Sequence, residues 1–405
     1  MRIAHVITRM IVGGAQENTL LSCHGLMRDY GDEVLLVTGP SLGPEGGLLE
    51  QGRAGELPVT ELASLRRAIH PGRDAAALRA IRRTLRQFRP DVVHTHSAKG
   101  GILGRQAAWS LGVPAIVHTV HGAPFHAYQH PAVRWFYRHC ERRAAAQCHR
   151  LVSVADAMTD LMVQGGVAPR DKFTTVYSGM DVEPFLAADH HRVAMRQQLG
   201  FAPGDVVIGK IARLYHLKGH ADLIAAASEV VAAVPGARFL LVGDGILRES
   251  LERQIARAGL SDRFVFTGLV DPERIPELLG AMDVLVHASF REGLARALPQ
   301  GLIAGKPVVS YDIDGAREVV IDDESGFLVP PGDREGLARR LTQLAADQPL
   351  RRRLGQQGRE RFTDRFRHQT MTRRLRELYT QLLNEPLAGG PLAGGARLGE
   401  AGQGG

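Results

Sequence analysis

The stretch HASFREGLARALPQGLIAGKPVVSYDIDGAREVV, residues 287–320, holds the end of one strand, a loop, a helix and the start of the next strand. The apolar run VLVHA (284–288) ends at Ala288–Ser289. Glu292-Gly293-Leu294 then opens a helical pattern that runs to Ala304, and Lys306-Pro307-Val308-Val309 starts the following strand. A helix between two short strands is the connection that parallel strands require. The stretch therefore predicts a parallel sheet with a helix on its face. Glu292 falls at the expected helix N-terminus, where the dipole favours a carboxylate. It is either a helix-start acid or a carboxylate at the mouth of the sheet, facing a cleft. In the second case the N–H groups of Gly293 and Leu294 can also meet an anion.

The same unit repeats outward in both directions. On both sides of it, within the second half of the chain, strand-like runs occur at 206–212, 238–242, 264–267, 307–310 and 326–329, with helical patterns between them. Towards the N-terminus they occur at 3–8 (IAHVIT), 34–38, 91–95, 115–120, 151–154 and 174–177. Such alternation predicts an α/β protein with helices on both faces of parallel sheets. At about 150 residues per domain, the 405 residues suit two doubly wound, Rossmann-like domains. The boundary is expected near 182–204, giving domains over 1–190 and 200–365 and a helix over 366–385 that packs back on the first. The last segment, 386–405, repeats PLAGG and has almost nothing to bury, so it reads as a disordered tail.

Composition narrows the class. Hydrophobic residues make up 44% and charged residues 23%, which excludes a disordered or collagen-like chain. No apolar run reaches the roughly 18 residues of a membrane span, and the N-terminus lacks a signal-peptide pattern. A cytoplasmic location is expected, and three cysteines fit a reducing compartment. The net charge of +7 admits an anionic small substrate, acidic lipid or nucleic acid. No nucleic-acid motif is present, so that partner is set aside.

Several short segments carry candidate chemistry. Gly13-Gly14 lies after the first strand and before a helix, a turn that lets backbone approach a phosphate or serves simply as a tight turn. VGDGILRES (242–250) has two glycines, but Arg248 stands where a dinucleotide fingerprint needs its third. KIARLYHLKGH (210–220) places Arg213 and Lys218 on one loop after a strand, where two cations can clamp a diphosphate or remain solvated. His94 and His96 alternate along a strand and share a face. They are a weak metal pair, because no carboxylate or cysteine follows at ligand spacing; His96 is expected near the acceptor, and no metal is expected. Residues 66–89 carry eight arginines against the single acid Asp74, and 134–143 read RWFYRHCERR. These are solvated helix faces or docking surfaces for anionic lipid.

Taken together, GGAQENTLL, ARLYHLKGH, LVGDG, FTGLV, the EGL segment with AGKPVV, and SGFLVPPGD (325–333) resemble the retaining glycosyltransferases of family 4, over about residues 1–385. That resemblance implies the GT-B fold, two Rossmann-like domains with a cleft between them, and a nucleotide-diphosphate sugar as co-substrate with no cofactor. It implies that Arg213 and Lys218 bind the donor diphosphate, with Gly13 and Gly14 closing over it and Gly293 and Leu294 supplying backbone contacts. Glu292, the first glutamate of an E-x7-E motif, would contact donor-sugar hydroxyls, and His121 in TVHGAPF would sit near the transferred sugar. Gly268 would lie near the base. The second motif glutamate is Gln300 here, which keeps an acceptor oxygen for the ribose but loses the charge.

The expected reaction is retaining transfer of a sugar to an acceptor hydroxyl of a glycan or lipid-linked substrate, with possible peripheral contact at an anionic membrane. Catalysis would rest on Glu292, His121, Arg213 and Lys218. The alternatives are a sugar-nucleotide epimerase on the same fold and a non-catalytic sugar-nucleotide-binding protein.

Overall fold

All strand pairs among the described residues are parallel, and their runs of Val, Ile and Leu are buried on both faces, as parallel sheets require. The computed structural model describes residues 1–42, 46–126 and 129–385. The 386–405 tail lies outside them.

The first sheet is built from β1 (Arg2–Val6), β2 (Glu33–Thr38), β3 (Val59–Glu61), β4 (Val92–His96), β5 (Ala115–Val120), β6 (Arg150–Ser153) and β7 (Phe173–Thr175), in spatial order β3-β2-β1-β4-β5-β6-β7. The second comprises β8 (Val206–Ile211), β9 (Ala237–Val242), β10 (Phe264–Gly268), β11 (Val284–His287), β12 (Val308–Tyr311) and β13 (Gly326–Val329), in order β10-β9-β8-β11-β12-β13. Each order reverses direction beside its first strand, so each sheet is doubly wound.

The helices are α1 (Gly14–Tyr30), α2 (Pro71–Phe88), α3 (Ala98–Ser110), α4 (Pro131–Ala145), α5 (Asp156–Gln164), α6 (Glu183–Leu186) and α7 (Arg192–Leu199). They continue with α8 (His220–Ala233), α9 (Arg248–Arg257), α10 (Ile275–Ala281), α11 (Ala297–Ile303), α12 (Arg334–Ala346), α13 (Gln348–Phe366) and α14 (His368–Asn384). In the second sheet the period-two alternation splits the core in two. Val207, Leu240, Leu285 and Val308 face one layer, and Ile208, Leu241, Val286 and Val309 face the other.

The chain forms two compact units, and their limits correct the expected boundary. The second unit takes Val154–Met158 and Tyr177–Met371, so it begins at Tyr177 rather than near 200. Residues 177–199 join it because they are built into its core. Phe185, Ala188 and Met195 are buried with Leu278 and Leu279, and Arg192 and Arg196 both pair with Asp283, at 2.6 and 2.5 Å. The first unit takes the rest, including α14 from Thr372 onwards. There Arg376 pairs with Asp32 at 2.9 Å, and a side chain at Gly25 would collide with Thr372.

Candidate active site

In the second unit, Lys218 and Glu292 form an ion pair at the carboxyl ends of the adjacent strands β8 and β11. The local backbone is shaped to bring them together. Leu217 and Gly219 both adopt left-handed conformations, at φ 64° and 66°. A Cβ at Gly219 would lie 1.8 Å from the Ala288 carbonyl oxygen, so only glycine lets this loop press against the end of β11. Phe290 N–H donates to the Leu217 carbonyl at 2.8 Å and locks the two loops. Glu292 N–H donates to Asp314 Oδ2 at 2.7 Å, and Asp314 itself is strained at φ 41°.

The electrostatics favour an ionised Glu292. Burial alone would raise its carboxyl, but His287 and Lys218 hold it down, to about 2. His287 Nε2 lies 3.7 Å from the same carboxylate oxygen. Behind the pair, the Lys210 side chain is buried and its Nζ has no hydrogen-bond partner among the described residues; burial lowers it to about 7. Arg213 is exposed, with its guanidinium 5.1 Å from the Tyr215 ring centre.

The expected helix from Leu294 is corrected: α11 starts only at Ala297. Pro299 is the cause. It has no N–H and would clash with the preceding turn, so it must lie within the first three helical positions. Glu292, Gly293 and Leu294 therefore occupy a loop, and the Gly293 carbonyl accepts from Gly315 N–H at 3.3 Å. Gln300 is on the helix, half-buried, and its side chain makes no hydrogen bond to a described residue. Gly268 ends β10 in a left-handed conformation at φ 70°.

In the first unit, Gly13 caps α1 and Gly14 is its first residue, as the turn requires. A separate histidine cluster occupies one face of the sheet at the carboxyl ends of β1, β4 and β5. His5 Nδ1 and His96 Nε2 are 3.0 Å apart, and His96 Nδ1 and His121 Nε2 are 3.1 Å apart. His94 bonds the Tyr379 hydroxyl at 2.5 Å through Nδ1 and Thr119 Oγ1 at 2.7 Å through Nε2. Burial pushes His94 and His96 well below the usual range and His5 to about 3, so all three are neutral. One nitrogen from each of His5, His94 and His96 lies within 4.8 Å of the others, a spacing that a metal ion could use.

His96, expected near the acceptor, has a fully buried side chain, and both its ring nitrogens meet other imidazoles. His287, Asp314, Lys210 and His5 were not singled out from the sequence. His5 and His287 carry a readable signal, a histidine at or near the carboxyl end of a predicted parallel strand.

Two family models match the chain: "Glycosyl transferase 4-like domain" over residues 13–179 and "Glycosyl transferases group 1" over residues 192–361. A 2-deoxystreptamine glucosyltransferase of Streptomyces kanamyceticus is 32% identical, over 72% of this chain and 78% of its own. A UDP-Gal:alpha-D-GlcNAc-diphosphoundecaprenol alpha-1,3-galactosyltransferase of Escherichia coli is 28% identical, over 86% of this chain and 89% of its own. The crystal structure of HepE from Anabaena, a complex with UDP, superposes with a TM-score of 0.79 at 23% identity, covering 94% of this chain and all of that one.

Proposed function

The chain belongs to the group 1 glycosyl transferases and is a glycosyltransferase of the GT-B fold, and from that premise we propose that it moves a sugar, with retention, from a nucleoside-diphosphate sugar to an acceptor hydroxyl. The observation that carries this reading is the Lys218–Glu292 pair at the carboxyl ends of β8 and β11, inside the group 1 match. A cation and a carboxylate side by side suit a ligand that is anionic at one end and hydroxylated at the other. Lys218 and Arg213 take the diphosphate, with Gly13 and Gly14 against it and Gly293 and Leu294 donating from their loop. Glu292 accepts from donor-sugar hydroxyls, Gln300 from the ribose, and Gly268 flanks the base. His121 orients the transferred sugar.

The bond from the anomeric carbon to the diphosphate oxygen breaks as the bond to the acceptor oxygen forms on the same face. The acceptor proton passes to the departing phosphate. Arg213 and Lys218 stabilise the charge that develops there. The E. coli relative's name describes a lipid-linked acceptor, which supports a lipid-linked or glycan acceptor here. Val133, Trp135 and Phe136 are exposed on α4 beside Arg134, and Arg79, Arg83 and Arg86 are exposed on α2. This pattern supports peripheral contact with anionic lipid from the cytoplasmic side.

A thermal-shift panel of UDP, GDP and ADP sugars tests the donor reading, since a ligand of the native state raises its apparent stability. One nucleotide series is expected to raise Tm in the wild type and to lose that effect in Lys218→Ala. No shift with any of them would remove the donor site from β8–α8.

A further inference from the structure

The imidazoles of His5, His96 and His121 form a line. Ring centroids are 5.2 Å apart for His5–His96 and 5.3 Å for His96–His121, with interplanar angles of 12° and 29°. With nitrogens 3.0 and 3.1 Å apart, these rings meet edge to edge through shared N–H···N bonds rather than face to face. The register explains the line. His5 on β1 pairs with His94 on β4, and His96 pairs with Thr119 on β5, so positions 5, 94, 96, 119 and 121 rise on one face. His94 packs beside the line, 4.3 Å from His96 between ring centres, and is itself held by Tyr379 and Thr119. His118 points to the opposite face, towards Thr95.

We propose that His96 is a positioning residue: as the middle of this chain it fixes the ring orientation and the tautomer of His121. A neutral imidazole carries one proton, donating from one nitrogen and accepting at the other. The three rings must therefore point their protons the same way along the line. The far end sets the direction. His5 Nε2 is buried and has no hydrogen-bond partner among the described residues. An orphaned buried N–H is costly, whereas a bare acceptor is tolerated more often. His5 therefore carries its proton on Nδ1 and donates to His96 Nε2. His96 donates from Nδ1 to His121 Nε2, and His121 carries its proton on Nδ1. His121 Nε2, which accepts from His96, then cannot act as a base. The significance of this for transfer rests on the sugar-side role given to His121 above; the proton order does not.

The wild-type enzyme decides the order without any variant. Two-bond ¹⁵N–¹H spectra of the full-length ¹⁵N-labelled chain, assigned with His121→Asn and His5→Gln, report which ring nitrogen is protonated. Nδ1–H on His5, His96 and His121 is expected. An Nε2–H form of His121 overturns the proposal, as does zinc that co-purifies or titrates onto His5 Nδ1 and His96 Nε2. His96→Phe removes the donor, so His121 should shift towards Nε2–H, with kcat lowered about tenfold or more through misplacement of the ring. His96→Asn, whose amide N–H can replace the Nδ1 donor, should restore part of both. An unchanged His121 tautomer in His96→Phe defeats the positioning role. Full transfer activity in His121→Ala, with the proton order as stated, would defeat only the sugar-side role.

Discussion

Lys218 is tied to Glu292 before any donor arrives, so a diphosphate must share or displace that contact. An ammonium has three donors, which allows sharing, but removing the carboxylate can only free the lysine further. Glu292→Gln is therefore expected to bind nucleoside diphosphate at least as tightly as wild type while transferring sugar poorly. Lys218→Ala should lose about a hundredfold or more in turnover, the usual effect of losing one charge-stabilising donor. Isothermal titration with free diphosphate, alongside initial rates, checks both. A clear loss of diphosphate affinity in Glu292→Gln would place that carboxylate in the phosphate site instead. Lys218 and Glu292, which the structure pairs, stand out in the sequence by loop position and motif. Asp314 and His287 do not, because their contacts to Glu292 come from 22 residues downstream and from a strand end that looks like core.

At the scale of elements, local pattern was a good guide to type and a poorer one to limits. Twelve of the thirteen strands among the described residues follow from short β-branched runs; β3, three residues at the sheet edge, exists only because β2 offers it a ladder. The α11 start moved by several residues for a local reason, Pro299, that outweighs the apolar periodicity before it. The α2 helix shows what periodicity does settle. Ala77, Ile81 and Leu85 are buried at four-residue spacing, which leaves Arg79, Arg83 and Arg86 exposed and Arg82 half-buried. If this face docks on anionic lipid, vesicles rich in phosphatidylserine should bind the enzyme at low salt. Binding should fall steeply as salt rises, and after replacement of Arg79, Arg82, Arg83 and Arg86 by Gln. Salt-independent binding, or none, would leave these arginines as a solvated surface.

The whole molecule has an acid sensitivity written into its core. His5, His94, His96 and His118 are fully buried, and burial lowers each below the ordinary value of 6.5, His5 to about 3. Below pH 6.5 the unfolded chain takes up these protons and the folded chain does not. Stability is thus intact above that pH and lost as pH falls towards 3. Each histidine can remove up to about 1.4 kcal/mol per pH unit. Urea midpoints measured from pH 7.5 to 4.5 should fall steadily below 6.5. A flat profile down to pH 5 would mean that these imidazoles are charged in the native state.

Sequence by itself determined the parallel α/β architecture, the pairing of strands with helices and the motif loops at strand ends. Those depend on spacing within a few residues, where hydrophobic period and turn chemistry act directly. Tertiary structure alone decided that residues 177–199 belong to the second unit, that α14 returns to the first from Thr372, and that His96 sits between the imidazoles of His5 and His121. Each of these follows from contacts between residues far apart in the chain: Arg196 with Asp283, Tyr379 with His94, His5 with His96. No local pattern encodes them, because the free energy that fixes them, burial of apolar surface and pairing of desolvated polar groups, exists only once the sheets have assembled.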